Sequence, residues 1–394
     1  MIEDTLHRYA RQDLPPSRLQ AEDVLVEARR RNRRRARLVG AAAGAAVLAT
    51  FGAAAVVRTV ATPPITAAGS GCVVDQLDIP AGSTGGVVAN GIDPSGRYVI
   101  GLAGTRAAPQ AVLWTGGTVR VLPGAFAPQA VNAAGLVVGF TGPARVQYGD
   151  EKQQRPVVYD GTRLVPLPLP DGGLGGVAYA VNANGDVLGT VVRADGSSAA
   201  VRWRTSGTVA IVSTVAGASG LGLNDDGVAV GFGMPLPHAL RWSADGVTTA
   251  LPVPTGADSA TALAAAGDWA VGDAELPPTG NKDDLMARAA VRWNLRTGAV
   301  ELISGIGGRR VSASGTVAGT TSTDAPALWR NGRIFALPLP PGGTPYSSSV
   351  SGITADGHSL VGSVEVSAGA ISTSGPAGDP VASDRTVPVV WRGC

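Results

Sequence analysis

From about residue 72 onward, apolar and polar positions alternate in short runs broken by Gly, Asn, Asp and Pro, the period-2 pattern of half-buried β-strands. The runs themselves repeat. Seven times an apolar–Gly step follows a Gly-centred turn, in ANGIDPSGRYVIG, AVNAAGLVVG, AVNANGDVLG, GLNDDGVAVG, LAAAGDWAVG, VSASGTVAG and ITADGHSLVG. The turn glycines are Gly96, Gly135, Gly185, Gly227, Gly267, Gly315 and Gly357. Each is answered by an apolar run ending at Trp114, Tyr159, Trp203, Trp242, Trp293, Trp329 or Trp391. A unit of about 40–50 residues with four short strands predicts a β-propeller blade. The expected fold is therefore all-β, a seven-bladed propeller of four-stranded blades over residues 72–394. In the third unit, strands are expected at 176–182, 186–192, 198–203 and 208–212, the first small and apolar because it lies nearest the crowded axis.

The last unit stops after its third run, at VVWRGC, whereas 72–80 reads as an outer strand without earlier strands of its own. The N-terminal segment is thus expected to supply the outermost strand of the last blade and close the ring. That closure brings Cys72 and Cys394, the only 2 cysteines, to one hairpin turn, where an oxidising compartment allows a disulfide. Three units are long between their second and third strands, at 143–155, 274–288 and 365–388. Loops that vary on a repeated scaffold are where recognition concentrates. The candidate contacts there are Tyr148, Asp150, Glu151, Lys152, Asp283 and Asp284, with Phe126, Tyr179 and Tyr346 of the joining loops on the same face. The expected ligand is a protein or a cell-wall glycan.

Residues 38–57 carry no charge and would span about 30 Å as a helix, the thickness of a bilayer's hydrocarbon core. Seven arginines lie between Arg29 and Arg37, and only Arg58 follows directly. By the positive-inside rule, 1–37 is a cytoplasmic tail, 38–60 a transmembrane helix, 61–71 a linker, and the propeller extracytoplasmic. A cleaved export signal is the alternative. The arginine cluster suits anionic lipid. In the tail, Ser17 to Gln20 fits a capping box opening a helix, expected to be a solvated juxtamembrane helix steadied by anionic lipid; the alternative is a docking segment for a cytoplasmic protein.

Charge elsewhere is balanced, with 21 basic and 24 acidic residues from Thr59 on, which excludes the basic stripe that nucleic acid requires. The 3 histidines are scattered, and neither a GxSxG elbow nor an HExxH helix occurs. STDAPALW (322–329) has the spacing of a sialidase Asp-box, but Pro326 stands in place of its glycine and the segment occurs once. The first turns hold Asp93, Asn132, Asn182 and Asn224; one oxygen-rich turn per unit is the pattern of an Asx-stabilised turn, so no metal and no cofactor are expected. The chain is expected to be a binding, sensory or scaffold module and not an enzyme. The alternative is a propeller hydrolase or lyase built from carboxylates at the axial mouth.

PHALRW ending at Trp242, together with VNANGDVLG and LNDDGVAVG, resembles the HAF-type probable extracellular repeat over roughly 72–394. One unit keeps the His (His238), Tyr159 replaces one Trp, and Ala264, Ser312 and Thr354 replace the Asn. That resemblance implies a secreted or surface propeller and carries no activity. The layout of short tail, arginine cluster, apolar span and exported domain is similar to actinobacterial membrane regulators that hold sigma factors, although this tail has no zinc-type His/Cys motif.

Overall fold

The computed structural model describes residues 65–69, 71–83, 86–104, 109–142, 150–213, 215, 217–234, 238–277, 289–367 and 386–394. All lie in the compact unit Val60–Cys394. The proposed span at 38–57, the arginine cluster and the helical tail lie outside the described residues. Among the described residues, no helix is long and apolar enough to cross a membrane.

The described residues form antiparallel sheets, most of them four-stranded, in the order the sequence repeats dictate. The first repeat supplies Val88–Ile92, Tyr98–Gly104, Pro109–Thr115 and Thr118–Val121; the second Phe126–Val131, Val137–Thr141, Arg155–Tyr159 and Leu164–Pro166. The third supplies Gly173–Val181, Val187–Arg193, Ser198–Trp203 and Val209–Ile211, within a few residues of the expected bounds. The fourth (Ser219–Leu223, Ala229–Gly233, His238–Trp242, Thr248–Ala250) and fifth (Ser259–Ala266, Trp269–Glu275, Ala289–Asn294, Val300–Ser304) join through a single parallel pair, His238 with Ala260. The sixth holds Ile306–Val311, Val317–Thr321, Pro326–Arg330 and Arg333–Ala336. Part of the stretch expected to be a linker, Ile65–Ala67, adds a parallel fifth strand at its edge.

The seventh repeat has Gly343–Ile353, Ser359–Val366 and Thr386–Arg392, and its fourth strand is Val73–Gln76 from the N-terminal side, as expected. Cys72 and Cys394 form a disulfide at that hairpin end, separated by 322 residues of sequence. The second strand of each repeat packs on the first strand of the next, and Ser359–Val366 packs on Val88–Ile92, which returns the order to its start. Radial sheets in cyclic order make this a β-propeller.

The terminal aromatics hold neighbouring repeats together. Trp114, Trp242, Trp293 and Trp391 are fully buried. The Trp203 indole donates to the Pro168 carbonyl at 2.6 Å, Trp293 to Pro252 at 2.8 Å and Trp391 to Pro338 at 2.7 Å, each acceptor lying just past the outer strand of the preceding repeat. Trp114 donates in the same way to Asp78, at 2.7 Å, so the closing N-terminal segment occupies the place of an ordinary outer strand. Arginines add a second tie: Arg202 donates to the Gly227 carbonyl, Arg292 to Gly315 and Arg330 to Gly357, each in the next repeat's first turn.

Candidate functional site: an axial cavity

The apolar–Gly step has a physical cause. Each inner strand carries a β-bulge, one unpaired residue between two paired ones, and the step glycine pairs with the residue just before it. The bulge presses the inner backbone onto the second strand. A Cβ on Gly189 would stand 2.0 Å from the Val177 carbonyl oxygen, and one on Gly231 1.8 Å from that of Ser219. No side chain fits there.

The bulged residues are Asn90, Gln129, Tyr179, Leu221, Leu263, Arg309 and Ser351, one per repeat. All line a cavity of about 330 Å³ bounded by the inner strands of every repeat and reaching first-turn residues such as Pro94, Asp225 and Ala313. Most of their neighbours are small, as in Ala178-Tyr179-Ala180 and Gly220-Leu221-Gly222, with Arg310 beside Arg309 the large exception. A small–X–small triplet on a crowded strand places its one large side chain at the bulge. In six repeats this position lies six residues before the turn glycine (Tyr179 before Gly185, Arg309 before Gly315), a signal that the sequence held. In the fifth repeat the hairpin is tighter, with Ala266 paired to Trp269, and the bulge shifts to Leu263.

Chemistry around the wall is uneven. Ser351, Asn90, Gln129 and Tyr179 make one arc polar, Leu221 and Leu263 make the next apolar, and Arg309 and Arg310 divide them. Arg309 Nη1 lies 3.4 Å from Asp273 Oδ2. Arg310 donates from Nε to the Ser351 carbonyl at 2.7 Å and from Nη1 to the Arg309 carbonyl at 2.9 Å. Desolvation, with Arg309 beside it, pushes its pKa down from the ordinary arginine value. Asn90 Nδ2 donates to the Pro128 carbonyl at 3.0 Å, and Ser351 Oγ to that of Ala89 at 2.5 Å, fixing both side chains against the neighbouring repeat.

Above the cavity the Asx turns form as expected. Asn132 Oδ1 accepts from Ala134 and Leu136, and Gly135 takes φ 82°. Among the described residues, no group of His, Cys, Asp and Glu could hold a metal ion.

Of the residues expected to form a loop-face site, Tyr179 lies instead on the wall of the axial cavity. Phe126 is corrected: it opens an inner strand and is wholly buried among Leu113, Leu122 and Tyr159, so it offers no surface to a ligand. Asp150 and Glu151 belong to a short 3₁₀ turn, Asp150–Gln153, with exposed Lys152. Tyr148, Asp283 and Asp284 lie outside the described residues, and Tyr346 is described only as part of the strand Gly343–Ile353.

No family model matches the chain, and no curated protein matches it. Solved structures do. The β-propeller domain of the Trilobed protease from Pyrococcus furiosus, described as having an open velcro topology, is 13% identical over 70% of this chain and 90% of that one, with a TM-score of 0.45. A puromycin hydrolase complexed with PGG is 16% identical over 77% of this chain, with a TM-score of 0.45. TolB from Acinetobacter baumannii is 11% identical over 76% of this chain and 80% of that one, at 0.37. The chain spans 54% of the puromycin hydrolase's length.

The expectation that the chain is not an enzyme is corrected: peptidases and a hydrolase stand among these neighbours. At such identities and scores the likeness transfers no catalytic residue and no activity to this chain.

Proposed function

We propose that the chain is a closed propeller of seven blades that binds a small ligand in its axial cavity, held at the outer face of a cell membrane by residues 38–57. The cavity reading rests on one observation. Every repeat keeps the same bulge, yet the bulged residues are Asn, Gln, Tyr, Leu, Leu, Arg and Ser, whereas the positions flanking them, Arg310 apart, stay small or apolar. Packing alone requires none of those polar groups. A concave, partly apolar site with a few convergent polar groups is the ordinary form of a small-molecule pocket. Support for the membrane placement is the uncharged run after the arginine cluster, and the Cys72–Cys394 disulfide suits an oxidising compartment.

The test uses the full chain and three probes that differ only in head group: hexanoate, hexanamide and hexylamine. At least one should raise the melting temperature, and Leu221→Trp, which fills the cavity, should abolish that effect. Stabilisation that survives Leu221→Trp, or no stabilisation by any probe, contradicts the reading.

A further inference from the structure

Six of the inner strands follow their bulged residue with a small one: Gly91, Ala130, Ala180, Gly222, Ala264 and Gly352. The position is crowded; a Cβ on Gly222 would meet the Ala264 backbone at 2.7 Å, and one on Gly352 would meet Ile92 N at 2.7 Å. The sixth repeat places Arg310 there. A guanidinium has therefore been set into the cavity wall at a position where the scaffold otherwise admits Gly or Ala.

Its bonding is incomplete in a particular way. Nε and one Nη1 hydrogen are held by the Ser351 and Arg309 carbonyls. Both acceptors are neutral, and the nearby carboxylate of Asp273 pairs with Arg309 instead. The edge formed by Nη1 and Nη2 keeps hydrogens with no acceptor among the described residues. Arg310 is half-buried and faces the cavity, and two parallel N–H groups match the two oxygens of a carboxylate. Leu263, bulged in the preceding repeat, and Leu221 beyond it provide apolar wall on one side of the arginines.

We infer that the cavity selects a small carboxylate carrying an apolar body, its head group on the Nη edge of Arg310 and its body against Leu263 and Leu221. The inference rests on the axial-cavity reading above. Carboxylate and guanidinium supply charge-assisted bonds that a neutral amide lacks, and the leucines oppose a fully hydrated anion such as phosphate.

The experiment is a calorimetric titration of the full chain with hexanoate, hexanamide and inorganic phosphate. Hexanoate should bind about tenfold or more tightly than hexanamide, phosphate should bind more weakly than hexanoate, and Arg310→Gln should erase the preference for hexanoate over hexanamide. If Arg310→Gln does not fold, the wild-type order of the three probes decides, with Leu221→Trp abolishing the binding of each. Equal affinity for hexanoate and hexanamide, both lost in Leu221→Trp, overturns the carboxylate inference and leaves the cavity reading standing. Phosphate binding more tightly than hexanoate also overturns it. No hexanoate binding overturns the carboxylate inference and leaves the cavity reading to the amide and amine probes, whereas hexanoate binding that persists in Leu221→Trp overturns both.

Discussion

Asn132 donates from Nδ2 to the backbone carbonyl of Asn182, 2.9 Å away in the next repeat, while its own Oδ1 caps the turn it belongs to. Asn182 repeats the move toward Asn224 at 3.4 Å, and Asn224 toward Gly267 at 2.8 Å. A carboxylate can cap but cannot pass the bond on: Asp93 accepts from Ser95 and Tyr98, and the tie from its repeat to the next comes from Asn90. Around the other side, Ala355 N donates to the Pro94 carbonyl, and Ser314 Oγ to that of Asp356. The first turns thus form a relay across the repeats as well as a set of local caps.

Asn132→Asp should therefore keep the cap, lose the donor and set a negative charge against a carbonyl, at a cost of about 1–3 kcal/mol. Asn132→Ala, which also leaves two N–H groups without their acceptor, should cost more. Urea denaturation measures both, with and without calcium. Unchanged stability of Asn132→Asp, or its rescue by calcium, would contradict the relay and restore a metal reading of these turns.

Two glycines that look alike in sequence should behave differently. Gly231→Ala forces a Cβ to within 1.8 Å of the Ser219 carbonyl oxygen and should cost about 3 kcal/mol or more, or block folding. Gly246, at φ 93°, has nothing within 4 Å of the added Cβ, so Gly246→Ala should cost only the left-handed backbone strain of about 1–2 kcal/mol. Similar losses for the two variants would remove the close-approach explanation of the apolar–Gly step.

Reduction of the Cys72–Cys394 disulfide, or the paired Cys72→Ser and Cys394→Ser change, should destabilise the closure. Loop entropy for a separation of 322 residues sets an upper figure of about 5–6 kcal/mol, and about 2–5 kcal/mol is the ordinary range. The strand Val73–Gln76 and the Trp114 bond to Asp78 persist without the disulfide, so the native fold should survive at lower melting temperature. An unchanged melting temperature after complete reduction would show that the strand pairing alone holds the ring.

Acid should loosen the turns. Asp160, Asp195 and Asp245 have carboxyls held below the ordinary value chiefly by hydrogen bonds from Thr162, Ser197 and Ser243. Asp356 is lowered first by the His358 N–H and then by the Thr354 hydroxyl. Because folded values are depressed, the stability they contribute is fully present above the unfolded value near ~3.9 and is lost as pH falls through the folded values. Urea midpoints followed from pH 5 downward should drop, and Asp356→Asn should flatten that drop. A steeper drop in the variant would reverse the sign of the argument.

Much of this fold is legible from the chain because its physics repeats. Gly turns, period-2 runs and terminal Trp or Tyr residues each report a local constraint that recurs in every unit. The exchange of the outer strand was also readable, since 72–80 has an outer strand's pattern and the last unit lacks one. The cavity was harder to see. Its residues share no chemistry, and what unites them is a bulge that moves one residue out of the ladder. In sequence Tyr179 reads as an aromatic of a joining loop, but its place on the cavity wall follows from the offset between Ala178 and Ala180. Phe126 misled for the converse reason: beside Gly124 it reads as a loop residue, yet it is the first residue of an inner strand and faces the core.

The most direct measurement of the central claim is a crystal structure of the full chain grown with hexanoate. The account predicts density for the probe inside the ring of bulged residues, carboxylate on the Nη edge of Arg310 and chain against Leu263. Density for the probe only outside that ring, with the cavity filled by ordered water alone, would contradict it.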